Sequence, residues 1–433
     1  MKEYLHKFNS LEELSDKKNG TSDPNTAFND DEHVSIIDEP KNYTTGRGII
    51  DYNPVTSSGS VLDDATLNKN AWGIIIKTSE SGEDWELVGN RQLWEDFKAG
   101  KTTGHPIGRY WLKDDGTARK CDPNDSTKFL DGSPVPNDEG QIMVYLPTLY
   151  FLNKTDEKTG HSTLWMSNKD LGGPVIKESM IGAFLSTNYD GKAYSRISDK
   201  FTKGHWSMSN GYDRLQAVGP YFNNMDYDQW RYIIMLHLSE FGTNDIQSTI
   251  GRGQLHNKYF VGKTAKYGDK TCYLNSDGTA EEPNKKNFGI QNFLGLEGLL
   301  HIDIPCGGLL NHTDGVYLYK DPTKLYKTKE EIINLGKSNY RLISKSNIET
   351  DRIILDIIGG DYFDFFAKKV GFYDKSKFKD YQNNIAKYDD GSIELFGLDS
   401  RGLGVCTGTD SFDAYGWSNA IRCGYFGKIK FIN

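Results

Sequence analysis

The stretch "MDYDQWRYIIMLHLSEFGTND", residues 225–245, has the clearest helical pattern in this chain of 433 residues. Apolar residues recur at helical spacing and form one side of the predicted helix: Tyr227, Trp230, Ile233, Ile234, Leu236 and Phe241. Asp226 precedes the pattern as a suitable N-cap, and Gly242 follows it as a stop. The pattern predicts an amphipathic helix, on which the lone His237 is interpreted as a packed or solvated residue and not as a metal ligand.

Strand-like segments lie on the N-terminal side of this helix. "AWGIIIKT", from Ala71, and "WELVG", from Trp85, are rich in branched and aromatic residues, as strands are. "NRQLWEDFKAG" predicts a short helix ended by Gly100. "GRYWLKDDGTARKC" predicts a hairpin that turns at Asp115 and Gly116.

The next segments are also strand-like. "QIMVYLPTLYFLNK" (141–154) predicts a strand interrupted at Pro147, with "GHSTLWMSN" as a partner. "MIGAFLSTNYDGKAYSRI" predicts two strands around Asp190 and Gly191. Many strands, few helices and long glycine-rich connections together predict an α+β fold.

Composition suggests three parts. Residues 1–68 are polar and rich in turn residues, with short apolar islands such as "HVSIID", and are predicted to form an extended arm that packs on something else. Residues 69–138 are predicted to form a small α+β module. Residues 139–433 are predicted to form the main domain.

Composition also excludes several classes of protein. The net charge is −9 and the acids are scattered, which argues against nucleic acid as a partner. Neither a signal peptide nor the ~18 to 20 apolar residues of a membrane span is found, so cytoplasmic synthesis without membrane insertion is expected. The five cysteines lack CxxC spacing, which predicts neither a disulfide framework nor a zinc site.

Motifs for catalysis are missing from the sequence. It has no GxSxG nucleophile elbow, and its nine histidines form no HExxH. We therefore expect no catalytic residues, no metal and no cofactor. A pair of carboxylates acting as in glycosidases stays open, because 60 acidic residues offer many pairs.

Several segments occur in an order that resembles a known family. They are "GQIMVYLPTLYF", "MIGAFLST", the helix with the run Glu240–Gln247, "GIQNFLG" at Gly289–Gly295, and the Trp417–Gly427 segment with its glycine-rich finish. This order resembles the C-type-lectin-like domains of phage and bacterial variable proteins, which are related to formylglycine-generating enzymes. The resemblance covers residues 139–433, and more weakly the polar arm, which looks like the segment preceding this domain in virion proteins of tailed phages of gut bacteria.

The resemblance implies a C-type-lectin-like fold with the terminal strand, "AIRCGYFGKIKFIN", in the core sheet. It also implies that the loop before that strand contacts a ligand, a host-surface glycan or protein. The candidate ligand-binding residues in this loop are Ser411, Phe412, Asp413, Tyr415, Trp417, Ser418 and Asn419. Tyr, Trp, Asn and Ser suit recognition, since flat rings give contact area and amides adapt their hydrogen bonds. In an alternative interpretation, favoured for Trp417, this residue packs in the core and Arg422 pairs with a buried carboxylate.

The sequence departs from the catalytic relatives. The active-site cysteine pair of formylglycine-generating enzymes is closely placed, whereas Cys406 and Cys423 are far apart. The resemblance therefore concerns the fold and not the activity. It predicts a non-enzymatic head or tail fibre protein of a virion, attached to other virion proteins through its arm and self-associated, with a trimer expected first.

Three alternatives to this interpretation stay open. The chain could be a purely structural decoration protein, a glycan-degrading fibre enzyme, or a surface-displayed variable protein of a bacterium.

Overall fold

The computed structural model describes the parts of the chain given by the following ranges. They are residues 50–51, 62–76, 85–156, 158–197, 208–243, 249–250, 271–274, 280–281, 290–299, 309–312, 315–319, 340–344, 352–357, 367–372, 394–398, 405–408 and 421–433.

Four helices and many short strands make up the described residues. The helices are α1 (Asp64–Asn70), α2 (Arg91–Lys98), α3 (Met208–Gln216) and α4 (Tyr227–Phe241). The strands are β1 (Ile50–Asp51), β2 (Trp72–Ile76), β3 (Glu86–Gly89), β4 (Gly108–Leu112), β5 (Thr117–Lys120), β6 (Gln141–Leu146), β7 (Leu149–Thr155), β8 (Ser162–Ser167), β9 (Val175–Ile176), β10 (Ser179–Gly182), β11 (Thr187–Tyr189), β12 (Lys192–Tyr194), β13 (Phe222–Asn224), β14 (Thr271–Leu274), β15 (Ala280–Glu281), β16 (Ile290–Phe293), β17 (Leu296–Glu297), β18 (Leu309–His312), β19 (Gly315–Tyr319), β20 (Tyr340–Ser344), β21 (Arg352–Ile357), β22 (Ala367–Phe372), β23 (Glu394–Leu398), β24 (Val405–Gly408), β25 (Cys423–Tyr425) and β26 (Lys430–Ile432). This mixture of helix and predominant sheet is compatible with the predicted α+β class. None of the described helices combines the length and the apolar character needed to cross a membrane.

Two sheets form the body of the molecule. The first has the strand order β1-β9-β7-β8-β2-β3, and the second, called here the central sheet, has the order β13-β25-β10-β6-β4-β5-β26. The predicted hairpin of β4 and β5 is confirmed, as is the break at Pro147 between β6 and β7. That break matters for the architecture, because β6 belongs to the central sheet and β7 to the first sheet.

The boundary predicted at residue 68 falls inside a helix, whereas residue 138 lies in the connection between β5 and β6. Helix α1 spans the first boundary, and its Leu67 is fully buried. Across the second boundary, β2 pairs with β8 and β4 pairs with β6. Strands from both sides of residue 138 thus pair with one another, and the division into three parts stays a prediction.

Helix α4 lies between the two sheets. From the first sheet, the indole N–H of Trp72 donates to Ser239 Oγ at 2.9 Å. Toward the central sheet, Tyr232 donates its hydroxyl to the carbonyl of Pro147 at 2.6 Å, and Gln229 Nε2 donates to the carbonyl of Met180 at 2.9 Å. The caps are as predicted, since Asp226 accepts from the N–H of Gln229 and Gly242 adopts a left-handed conformation.

The burial of α4 differs from the prediction of an amphipathic helix. Residues 228–239 are buried on all sides, including the polar Asp228, Arg231 and His237. The physical reason is that a sheet covers each side of the helix, so polar side chains must find partners inside. Asp228 and Arg231 do so as an ion pair, with 2.7 Å between Oδ1 and Nη2.

The C-terminal run forms two strands, where one closing strand was predicted. β25 is an interior strand between β13 and β10, which confirms that this part of the run belongs to a core sheet. β26 instead pairs in parallel with β5 at the far end of the same sheet. Residues 426–429 carry the chain from one position to the other.

The later strands pair locally. β14 to β17 form one small sheet, β18 to β20 another, and β21–β22 and β23–β24 two hairpins. The described partners of β18 to β24 thus all lie within residues 309–408.

Candidate binding surface at the base of residues 300–420

The described residues on either side of 300–420 are held at neighbouring points of the body. Just before the exit, the N–H of Glu297 donates to the carbonyl of Ala183 at 2.7 Å. Just after the return, the carbonyl of Ile421 accepts from the N–H of Ser186 at 2.7 Å. Positions 183 and 186 are at most about 11 Å apart along the chain. We call residues 290–299 the exit stem and residues 421–425 the return stem. Both stems are therefore held on the same short piece of backbone.

Arg422 ties the two stems together. Its side chain is fully buried, and Nη1 donates to the carbonyls of Gly182 at 2.6 Å and Ala183 at 3.3 Å. Nη2 donates to the carbonyls of Glu297 at 2.6 Å and Gly298 at 3.1 Å. The planar guanidinium, with its diverging donors, is suited to bridging backbone groups from different segments. These four bonds go to backbone carbonyls, and the carboxylate suggested from the sequence as a partner of Arg422 stays a prediction.

The exit stem is shaped by a tight hairpin. Phe293 pairs with Leu296, so Leu294 and Gly295 form a two-residue turn, and both have positive φ angles, 50° and 97°. Such a turn suits the twist of a hairpin. The buried Arg109 of β4 holds it, donating from Nε to the carbonyl of Gly295 at 2.7 Å.

The return stem fits closely against α3. A Cβ atom at Gly211 would overlap the side chain of Ile421, so only glycine leaves room at this position for the present packing. The N–H of Met225 then donates to the carbonyl of Arg422 at 2.7 Å, and β25 pairs with β13 and β10. Residues 421–425 are thereby held by α3, by Met225 and by the two neighbouring strands.

The residues predicted to bind a ligand lie outside the described residues. They are Ser411, Phe412, Asp413, Tyr415, Trp417, Ser418 and Asn419, and their role stays a prediction. In the sequence, Asn419 is two residues from Ile421. The described part of the site is thus Ile421 and the backbone that holds it, next in the sequence to the predicted loop.

Sequence reasoning missed Arg109, and it did not identify the backbone carbonyls that Arg422 contacts. A signal was present for both, because each arginine interrupts an otherwise apolar run, "GRYWL" and "AIRCGY". A charged residue in the middle of a buried strand requires partners in the core. The identity of those partners depends on segments far away in the sequence.

A small cavity lies elsewhere on the body, beside Trp111. It measures about 110 Å³ and is lined mainly by residues 126–142 together with Arg196 and Ile197. Pockets for small-molecule ligands measure about 300–1,000 Å³, so this one is too small for a sugar chain. Arg196 is engaged in the body, donating Nε to the carbonyl of Gly140 at 2.7 Å and lying 3.7 Å from the centroid of the Tyr194 ring.

Titratable groups on α4 are buried away from any described opening. Burial and the neighbouring Asp228 raise the pKa of Asp226, while burial lowers the pKa of His237 to about 3. His237 Nε2 lies 2.7 Å from Thr249 Oγ1. Within the described ranges, no three His, Cys, Asp or Glu side chains are placed to hold a metal ion. These groups therefore belong to the packing of the body.

The chain matches no protein-family model, and a search of curated proteins finds no significant match.

Proposed function

We propose that this chain is a surface component of a tailed-phage virion, a head or tail fibre protein, with a C-type-lectin-like domain that binds a host-surface glycan or protein. The observation that carries the proposal is the arrangement of the stems. Residues 300–420 contain all seven predicted ligand-binding residues, and the residues that flank them, Glu297 and Ile421, bond to Ala183 and Ser186, with Arg422 contacting Gly182 and Glu297.

In the proposed arrangement, the rigid body of the molecule carries a segment whose residues contact the receptor. Binding residues commonly lie on loops positioned by a rigid scaffold. Here the base of the segment is held by buried hydrogen bonds, so its contact residues can vary without disturbing the body. Weak binding by each copy suffices, because many copies on one particle multiply the affinity through effective concentration.

The remaining parts of the proposal follow the sequence. The polar arm attaches the chain to other virion proteins, and the chain self-associates, with a trimer as the first expectation. Chemistry on the receptor is not part of the function.

The test uses the full chain displayed at high density on beads, incubated with whole cells of gut bacteria and with an array of bacterial glycans. We expect binding to particular strains or glycans, lost in the Phe412→Ala/Asp413→Ala/Tyr415→Ala variant. A matched control replaces three exposed residues of the body, Lys158→Ala/Lys169→Ala/Asp170→Ala, and keeps binding.

Each alternative has a distinct outcome. An absence of binding even at multivalent density would overturn the receptor proposal and favour a purely structural decoration protein. Release of oligosaccharides from host capsule would favour a glycan-degrading enzyme. Antibody labelling of particles in electron micrographs places the protein at the head, baseplate or fibre tips, and an absence of label on any particle would contradict a virion location.

A further inference from the structure

Strand β26 provides an open edge of the central sheet. Among the described residues it has a strand partner on one side only, β5. The N–H of Lys430 donates to the carbonyl of Gly116 at 2.8 Å, toward β5. Because backbone groups alternate along a strand, the N–H and carbonyl of Phe431 point away from β5. An edge of this kind can accept another strand.

An apolar surface adjoins this edge. Ile432 and Leu130 are the two exposed large hydrophobic residues of the described part of the chain, with 51% and 64% of their surface accessible. Ile432 is the register partner of Arg119, whose guanidinium lies 4.1 Å from the ring centroid of Phe129. Leu130 directly follows Phe129, so both exposed side chains belong to one corner of the molecule. We call this corner, formed by Leu130 and β26, the edge patch.

The charge at the edge patch is positive and restricts the choice of partner. Lys428 and Lys430 are exposed, with Asp115 near Lys430. Arg119 is neutralised by Asp131, with 2.8 Å between Nη2 and Oδ2. Symmetric pairing of two copies through β26 would gather the exposed lysines of both copies at one short interface, where their like charges repel each other. The edge instead suits an apolar strand flanked by acids.

The N-terminal arm contains a sequence of this kind. The stretch "DDEHVSIIDE", residues 30–39, has acids at both ends, Asp30–Glu32 and Asp38–Glu39. Between them Val34 and Ile36 alternate with other residues, as in a strand with one apolar face. Pro40 follows, and proline disfavours continued pairing.

The tether is long enough for the same chain to reach the edge patch. Residues 40–49 lead to β1 and can extend about 33–36 Å. β1 pairs with β9, which precedes β10 by two residues, and four interstrand spacings separate β10 from β26. Four spacings amount to about 19 Å, and the spacing from β1 to β9 with the link from β9 to β10 adds at most about 16 Å, so the extended tether just spans the path. A tethered segment also has a high effective concentration compared with a segment of another copy.

We infer that residues 30–39 pair with β26 of the same chain as an added strand, with their acids beside Lys428 and Lys430 and their apolar face on the edge patch. The inference does not depend on receptor binding. It assigns a docking site on the body to one part of the arm.

The test is residue-resolved hydrogen–deuterium exchange of the full chain. We expect the N–H of Phe431 to be protected, and the Lys428→Glu/Lys430→Glu variant to exchange it about tenfold faster or more, since opening of the added strand exposes it. The N–H of residue 430 stays protected in that variant, because its bond to the carbonyl of Gly116 is unaffected. This internal comparison separates loss of the added strand from loss of β26 itself.

Charge exchange provides the decisive arm of the experiment. Adding Asp38→Lys/Glu39→Lys to the lysine variant should restore protection of the Phe431 N–H. The control Lys158→Glu/Lys169→Glu reverses charges at exposed sites elsewhere and should leave the protection of that N–H at the wild-type level. An unprotected Phe431 N–H in the wild-type chain, or protection that charge reversal does not alter, would overturn the inference. Protection that falls on dilution would also overturn it, because the strand would then come from another copy.

Discussion

Replacement of Arg422 by methionine tests the role of the two stems. Methionine fills similar space but has no donors, so the carbonyls of Gly182, Ala183, Glu297 and Gly298 lose the four bonds described above. A hydrogen bond to a charged group contributes about 1.5–3 kcal/mol. Part of the total from the four bonds is offset, because the variant no longer buries a charge. We expect a net loss of about 3–5 kcal/mol, because each buried carbonyl left without a donor costs about 1–3 kcal/mol.

The assay is urea unfolding of the full chain, with hydrogen exchange at Ser186 as the local readout. The N–H of Ser186 is bonded to the carbonyl of Ile421, so it reports directly on the return stem. Arg422→Lys keeps the charge but loses the diverging donors, and should fall between the wild type and the methionine variant. Arg119→Met is the matched control, because the partly exposed pair of Arg119 and Asp131 contributes only about 1 kcal/mol or less.

Two results would refute this reasoning. One is a loss of less than about 1 kcal/mol for Arg422→Met, which would make the bonds to the stems energetically minor. The other is global destabilisation with unchanged relative protection at Ser186, which would show that Arg422 does not hold the stem in particular.

Two further predictions concern pH. Burial lowers the pKa of His237 from 6.5 to about 3 in the folded state, so stability is lost as pH falls below 6.5, by about 2 kcal/mol at pH 5. His237→Gln should therefore lose less stability than the wild type between pH 7.5 and pH 5 in thermal unfolding, and equal losses would contradict the prediction. The pKa of Asp226 is raised, so its contribution to stability is present below pH 3.8 and is lost as pH rises through the folded-state pKa. Asp226→Asn, which keeps an N-cap acceptor, should stabilise the chain against urea at pH 7 and stabilise it less at pH 4. A variant less stable than the wild type at pH 7 would show that the folded protein accommodates the charge of Asp226 well.

Local elements were predictable from the sequence because their signals are local. The hairpin at Asp115 and Gly116, the break at Pro147 and both caps of α4 each depend on a few adjacent residues. The complete burial of α4 was not predictable, because it depends on two sheets whose strands come from distant segments. The separation of β25 from β26 was missed for the same reason, since the partner of β26 lies at Thr117–Lys120.

The candidate site was likewise predictable from the sequence only in part. The residue types in 411–419 and the family resemblance predicted a contact loop, which lies outside the described residues. The support beneath it, Arg109 and Arg422, depends on carbonyls contributed by residues far along the chain. The sequence showed that these arginines interrupt apolar strands but did not identify their partners.

The position of β25 inside the central sheet has a consequence for synthesis. β10 and β13, its two neighbours, are made long before residues 423–425, because residues 300–420 come between. At about 5–20 residues per second, the interval between β10 and β25 amounts to roughly 10–50 s on the ribosome. During that time the central sheet lacks an interior strand, and the edges of β10 and β13 that pair with β25 have no partner there. A nascent chain that stops before residue 423 leaves these edges open, which exposes it to chaperones and proteases and limits the escape of incomplete copies.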